Sequence, residues 1–360
     1  MFQRLFKGMH WPIIVSACLL AVFGLIAIYS ASFRMNGDYA AKQGMWFVVS
    51  IVLFFVTVSI GYRPFLNVSL LFYTVTLGFL VWVLLFSETQ FGANRWINIG
   101  RFAIQPSEFA KLATLLTLAQ YLSGQLTFAK QTKSVLIALG LIVLPFLLIL
   151  KQPDLGSALV FIPIFVSIIF LWGLRKRYFL GMLGAGLCSL PVLWNFLKPY
   201  QQRRLLVFLD PAHDPIGASY TAIQSKIAVG SGFLWGKGWL AGTQTQLDFV
   251  PEHHTDFIFS VIGEEMGFVG TMSLIALFGI LIWYMFDILN HTTELRARLL
   301  SVGIVSMFFF QVFVNIGMTI GLAPITGITL PFVSYGGSSL AMGFMCLGLL
   351  VSIYKERSIF

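Results

Sequence analysis

Five polar constellations in this sequence have residue types and spacings that could do chemistry. The first is PEHHTDFIFSVIGEEMG, in which Asp256 stands where a polar connection runs into an apolar helix. At 100° and 1.5 Å per residue, Glu264 would lie about 80° round and roughly 12 Å along from Asp256, and Glu265 about 180° round. Paired glycosidase carboxylates stand about 5–9.5 Å apart, so this helix alone builds no two-acid hydrolase. Asp256 can instead act alone as a general base. His253 and His254 read as interfacial polar residues, because adjacent histidines are a poor zinc spacing and no third ligand is evident.

The second constellation is Glu108 and Lys111, three residues apart inside an apolar run. Charges there are costly unless paired or functional, and this pair reads equally as a self-neutralising ion pair or as part of a site. In the third, Arg95 and Arg101 flank Trp96, and two arginines suit a phosphate. The fourth is KQPDLG, where Asp154 is placed to cap the following helix. The fifth is GLAPITGITLPFVSYGGS at 321–338, rich in glycine and proline and without charge. Backbone of that kind at membrane depth must be buried in protein or line a cavity. The amides at Gly336, Gly337, Ser338 and Ser339 open the last helix and could hold an anion; a glycine-rich packing motif is the equal alternative.

The elements that must position these residues are membrane helices. Of 360 residues, 58% are hydrophobic, 10% are charged and 36 are Phe, whereas a soluble domain carries about 25% charge. The composition excludes a cytosolic enzyme, a disordered tail and a secreted disulfide scaffold. The three cysteines all lie in apolar runs. Runs of roughly 20 apolar residues predict ten spans, at 12–31, 45–61, 66–86, 105–123, 134–150, 156–173, 178–197, 258–286, 299–320 and 335–354. With the N-terminus inside, twelve Lys and Arg fall on inner segments (Arg4, Lys7, Arg63, Lys130, Lys133, Arg175, Lys176, Arg177, Arg296, Arg298, Lys355, Arg357). Five fall on short outer loops (Arg34, Lys42, Arg95, Arg101, Lys151). That asymmetry predicts both termini inside. It accounts for the +9 net charge without nucleic acid. The expected architecture is an all-α integral membrane protein of about ten helices, forming a single polytopic domain over 1–360. Residues 198–257 form one long outer loop. TAIQSKIAVGSGFLWGKGWLAGTQTQLDF within it, with Lys226 and Lys237, suggests interfacial segments. Its glycines suggest a partly mobile lid or rim, with a structural plug as the plainer reading.

Five long stretches also resemble the SEDS family (shape, elongation, division and sporulation), over essentially the whole chain. They are ANRWINIG at 93–100, QPSEFAK at 105–111, QPDLG at 152–156, QSKIAVGSGFLWGKGWLAGTQTQLDFVPEHHTDFIFSVIGEEMG at 224–267 and NIGMTIGLAPITGITLPFVSYGGSS at 315–339. The short tails and PEHHTDFIF look more like the elongation members than the division members. The resemblance implies a peptidoglycan glycosyltransferase that polymerises lipid II at the outer face of the bacterial cytoplasmic membrane. It implies a class B penicillin-binding protein as transpeptidase partner, together with other elongation-complex proteins. By resemblance Asp256 matches the family's essential aspartate, Glu108 and Lys111 its intramembrane pair, and Asp154 its PDLG acid.

That chemistry suits the residues. A polyprenyl pyrophosphate leaves without a protonated carboxyl, so one carboxylate base for the attacking hydroxyl suffices. Arg95, Arg101, Lys111, Lys226 and Lys237 are candidate phosphate partners, with Ser338 a further substrate contact. A divalent cation, Mg²⁺ or Mn²⁺, would also stabilise the leaving charge. A lipid II flippase is the alternative, but it should spread polarity through both halves of the bilayer, whereas the motifs here gather on the outer half.

Overall fold

A computed structural model describes residues 8–35, 38–86, 95–99, 102–125, 131–197, 199–210 and 219–357. Each predicted apolar run is helical. The first are α1 (Trp11–Ala31), α2 (Tyr39–Ile60), the short α3 (Tyr62–Asn67) and α4 (Ser69–Phe86). After a two-stranded hairpin come α5 (Pro106–Ser123), α6 (Gln131–Lys151), α7 (Leu155–Leu159) running into α8 (Phe161–Trp172), and α9 (Lys176–Phe196). The chain closes with α13 (Ile258–His291), α14 (Leu295–Ile320) and α15 (Gly337–Arg357), after three helices within the expected loop. Among the described residues, eight segments are long and apolar enough to cross a membrane. The other two predicted spans correspond to α5 and α9. The chain is a multi-pass membrane protein.

Helix α5 shows why one predicted span is so polar. It packs against α3, α4, α6, α8, α14 and α15, and most of its residues are buried. A helix surrounded by protein is not solvated by lipid, so Glu108 and Lys111 meet side chains rather than hydrocarbon. Its start is fixed by Pro106 in the first turn, where the missing N–H costs nothing. The preceding hairpin, β1 (Ile97–Ile99) with β2 (Phe102–Ile104), pairs Ile97 with Ile104 and Ile99 with Phe102. Three-residue strands carry no readable alternation, and the hairpin was not expected.

The described part of the 198–257 segment contains helices rather than one unbroken loop. It holds α10 (Pro199–Leu209), α11 (Tyr220–Ser231) and α12 (Thr243–Gln246), and α11 packs against α13 and α14. The glycines serve close approach. Helix α13 breaks at Gly267 (φ 65°, ψ −157°), and the freed amides of Phe268 and Val269 donate to the carbonyls of Phe233 and Leu234 at 2.8 and 3.1 Å. In return Lys237 and Gly238 donate to the carbonyls of Glu264 and Glu265, both at 3.0 Å. A Cβ on Gly236 would strike the Glu265 carbonyl. The kink is thus paired by backbone, as membrane depth requires, and this packing favours a plug. Phe233 and Trp235 at its tip are 83% and 77% exposed, which suits an interfacial anchor.

Candidate active site

The site is built where two segments without regular structure meet the start of a short helix. Residues 251–257 form consecutive turns before α13, so Asp256 precedes the helix rather than riding on it. The glycine-rich segment 321–336, mostly buried from Thr326 to Ser334, clamps those turns. The Ser334 hydroxyl donates to the Thr255 carbonyl at 2.6 Å, and the Tyr335 amide donates to the His254 carbonyl at 3.1 Å. The fully buried Asn315 side-chain amide, on α14, donates to the carbonyls of Asp256 at 2.9 Å and Ile328 at 2.7 Å. The turn is therefore held at residues 254, 255 and 256 in succession.

The third segment is the start of α7. Asp154 caps it, accepting from the Ser157 amide at 3.1 Å, and also accepts from the Gln105 side chain at 3.1 Å. A Cβ on Gly156 would lie 2.6 Å from the Thr326 carbonyl, so the PDLG turn is pressed onto the strip that carries Gly327. On Gly327 (φ 76°) an added Cβ would lie 3.2 Å from Asp256 Oδ2 and 4.0 Å from a terminal nitrogen of Arg204, on α10.

The Asp256 carboxylate is partly buried. Burial pushes it up from its ordinary value to about 6, and Glu252 adds to the rise while Arg204 opposes it. Weaker contributions come from Asp154 upward and Arg95 downward. A carboxylate raised in this way by desolvation is basic enough to take a proton near neutral pH. Burial also depresses His254, whose ring lies among Tyr39, Tyr335 and His253.

The other expected residues are mostly occupied elsewhere. Lys111 Nζ and Glu108 Oε1 are 2.7 Å apart, with 1% and 4% of the two residues exposed. Arg95 donates to the carbonyls of Gln152, at 3.2 Å, and Pro153, and stands 3.9 Å from Asp154. It therefore fastens the α7 turn to the hairpin strands. Lys237 Nζ donates to Glu264 Oε1 at 2.7 Å and to Thr243 at 2.8 Å. Glu264 also accepts from the Gln244 and Thr245 amides, and Glu265 accepts from Ser30 at 2.5 Å, so both glutamates anchor structure. Around Ser338 the start of the last helix makes protein contacts. The Ser338 hydroxyl accepts from the Gln105 amide at 3.0 Å, the Gly336 amide donates to Gln43 at 3.1 Å, and the Trp46 indole lies against Gly337. These contacts favour the packing reading. Lys226 lines a cleft with Arg204. Arg101 lies outside the described residues.

Two residues that sequence reasoning passed over matter here. Arg204 was only one of several charges in a long connection, and nothing in its neighbours distinguished it. Asn315 did carry a signal, since an amide inside an apolar helix needs a partner.

Fold and site together define a class: polytopic helical membrane proteins with one raised carboxylate beside a guanidinium at the mouth of the bundle. A family model described as the FtsW/RodA/SpoVE cell cycle protein matches residues 10–359. The peptidoglycan glycosyltransferase MrdB of Escherichia coli (strain K12) is 40% identical over 339 residues, covering 94% of this chain and 91% of that one. The peptidoglycan glycosyltransferase RodA of Treponema pallidum is 33% identical, covering 96% and 97%. Among solved structures, one described as structural coordination of polymerization and crosslinking by a peptidoglycan synthase complex matches with a TM-score of 0.83 at 30% identity, covering 98% and 99%. The crystal structure of Thermus thermophilus RodA matches at 0.74 and 30% identity, covering 98% of each chain. The chain belongs to the FtsW/RodA/SpoVE family, also called SEDS.

Proposed function

We infer that this chain is a peptidoglycan glycosyltransferase, a hexosyltransferase, in which Asp256 is the general base. Its substrate in this reading is lipid II, polymerised at the outer face of the bacterial cytoplasmic membrane. The Asp256 carboxylate takes the proton from the acceptor sugar's hydroxyl as that oxygen bonds to the donor's anomeric carbon. The bond from that carbon to the phosphate oxygen breaks, and its electron pair leaves with the polyprenyl diphosphate. Atoms and charge balance with one proton on Asp256, which bulk water then removes.

The observation that carries this reading is the state of the Asp256 carboxylate. It is raised to about 6, faces Arg204, and its turn is fixed by Asn315, Ser334 and Tyr335. A base held this rigidly gains the proximity term as well as the proton-transfer term. The intramembrane pair Glu108–Lys111 and the Arg95–Asp154 contact then act by holding α5 and α7 in place around the site.

Among the described residues no three His, Cys, Asp or Glu side chains gather into a metal cage. The donors present suit Mg²⁺ or Mn²⁺ carried mainly on substrate phosphates, with at most one protein carboxylate. When bound, such an ion would supply charge neutralisation at the leaving diphosphate. A class B penicillin-binding protein is the proposed partner. The matched structure is described as coordinating polymerization and crosslinking in a peptidoglycan synthase complex, which supports a crosslinking partner.

The deciding experiment supplies labelled lipid II to the purified chain with its transpeptidase partner and measures glycan polymer for wild type and Asp256→Asn. The variant should fold and bind partner but make no polymer; strong polymerisation by it removes Asp256 from the base role.

A further inference from the structure

His253 precedes Asp256 by three residues and is 1% exposed. Both nitrogens of its ring meet carbonyl oxygens. Nδ1 stands 2.8 Å from the carbonyl of Val250, and Nε2 stands 2.9 Å from that of Ala31, the last residue of α1. A carbonyl can only accept. A neutral imidazole has one N–H and one lone pair, so it satisfies one of these contacts and turns its lone pair on the other oxygen; an imidazolium donates to both. At such burial, a lone pair set against an oxygen is costly.

The surroundings also favour a charged ring. Ala31 ends α1, and the last carbonyls of a helix carry its negative pole. Gln246 donates to the neighbouring Ser30 carbonyl at 2.8 Å, so side chains of the 198–257 segment take two successive carbonyls of α1. The Asp248 carboxylate lies 3.8 Å from Nδ1, with its side chain 72% exposed. His254 is depressed mainly by burial and further by the nearness of His253, so the two adjacent rings carry one charge between them. The other charges on neighbouring elements are Glu252 and Asp256 in the same turns, Glu265 on α13, which accepts from Ser30, and Arg34 and Asp38 on the connection after α1. Among the described residues, His253 supplies the hydrogen bond that joins the Asp256 turns to α1. Asn315, Ser334 and Tyr335 hold the same turns at residues 254–256, and His253 adds an anchor at their start.

We propose that His253 is held as an imidazolium that pins the Asp256 turns to the end of α1, and that it is a positioning residue for the base. When the ring gives up a proton, one of its two hydrogen bonds fails, the turns loosen and polymerisation slows. The protonation follows from the two carbonyls; its consequence for the rate rests on the glycosyltransferase reading. Its sense is opposite to that of Asp256, whose own protonation removes the base. Acid stops the base and alkali slackens its mount, so the rate should rise and then fall as pH increases.

The test uses the full-length chain in lipid nanodiscs, with its transpeptidase partner added for the polymer assay. Nitrogen-15 NMR of the histidine-labelled chain near neutral pH should show a ring with both nitrogens protonated. That signal should be missing from His253→Gln and kept by Asp256→Asn, because the carbonyls and not the base hold the proton. Glutamine donates from a single nitrogen, so His253→Gln keeps at most one anchor. Its kcat should fall about tenfold or more with little change in KM, and it should lack the alkaline limb of the wild type while keeping the acid limb of Asp256. Asp248→Asn removes the carboxylate beside the ring, and asparagine tolerates the φ of 56° at that position. It should move the alkaline limb to lower pH, which tests the proposal even if His253→Gln does not fold. A bare ring nitrogen on His253 overturns the proposal and leaves Asp256's role standing. An imidazolium whose loss changes neither kcat nor the alkaline limb overturns the positioning role. Polymer made by Asp256→Asn overturns the base reading and leaves the imidazolium to be judged on its NMR signal.

Discussion

Gly327 lies under the Asp256 carboxylate so closely that a methyl group on it would come within 3.2 Å of Oδ2. The residue is also left-handed, at φ 76°. Gly327→Ala therefore combines backbone strain of about 1–2 kcal/mol with a displaced carboxylate. The expected result is a modest fall in the thermal midpoint and a loss of polymerisation much larger than that fall explains. Equal losses in stability and rate, or none in rate, would mean that the carboxylate tolerates the shift.

The raised Asp256 predicts an acid limb in the rate. The base works only when ionised, so polymerisation should halve near pH 6 and fall to about one tenth of its plateau near pH 5. The linkage has the opposite sense. A carboxyl raised in the folded state favours folding when protonated, so its contribution is fully present below about pH 3.8 and is lost as pH rises through 6. Asp256→Asn should remove that pH dependence while abolishing activity. Glu252 is exposed and pushes Asp256 upward, so Glu252→Gln should move the acid limb to lower pH. A pH–rate profile of the two proteins at low salt measures the shift.

Glu108 and Lys111 predict a non-additive pair. Their contact is 2.7 Å and nearly unexposed, and among the described residues Glu108 Oε2 has no hydrogen-bond partner. Removing one member leaves an uncompensated buried charge, worth about 3–5 kcal/mol, whereas removing both often costs far less. Glu108→Gln and Lys111→Met should each be harmful, and the double variant milder in both thermal midpoint and polymer yield. A double variant that folds normally yet is as inactive as the worse single change would reassign the pair to substrate contact.

Much of this architecture was legible in hydropathy and charge. All ten apolar runs became helices, including α5, whose polar residues lowered its apparent span quality because protein rather than lipid surrounds it. The helices inside 198–257 were not legible, since their stability comes from packing on α13 and α14 and not from an uninterrupted apolar run. The glycines there suggested motion because composition cannot distinguish a flexible loop from a backbone pressed against a kink. In the site, Asp256 was readable from its place at a helix junction and from resemblance, while Arg204 acquired meaning only when α10 was placed beside Gly327. Ser338 shows the weight of contacts that spacing does not reveal. A helix start rich in amides suggests an anion site, while Gln43 on the Gly336 amide, Gln105 on the Ser338 hydroxyl and Trp46 against Gly337 favour packing.

Asn315 provides the test of positioning apart from proton transfer. Its amide nitrogen is the donor to two carbonyls, one on Asp256 and one beside Gly327 at Ile328, and the side chain is wholly buried. Asn315→Leu keeps a similar volume and withdraws both hydrogen bonds, at about 1–3 kcal/mol for each carbonyl left without a donor. The two strips that present Asp256 and Gly327 would then be free to separate. The expected outcome is a lower kcat with little change in KM, because substrate contacts remain while the base moves off line. The acid limb should also move, since a carboxylate released toward water loses the desolvation that raises it. A variant with the wild-type limb and kcat but a lowered thermal midpoint would limit Asn315 to holding the bundle together. Steady-state polymerisation across pH, with thermal unfolding of the same preparation, separates the two.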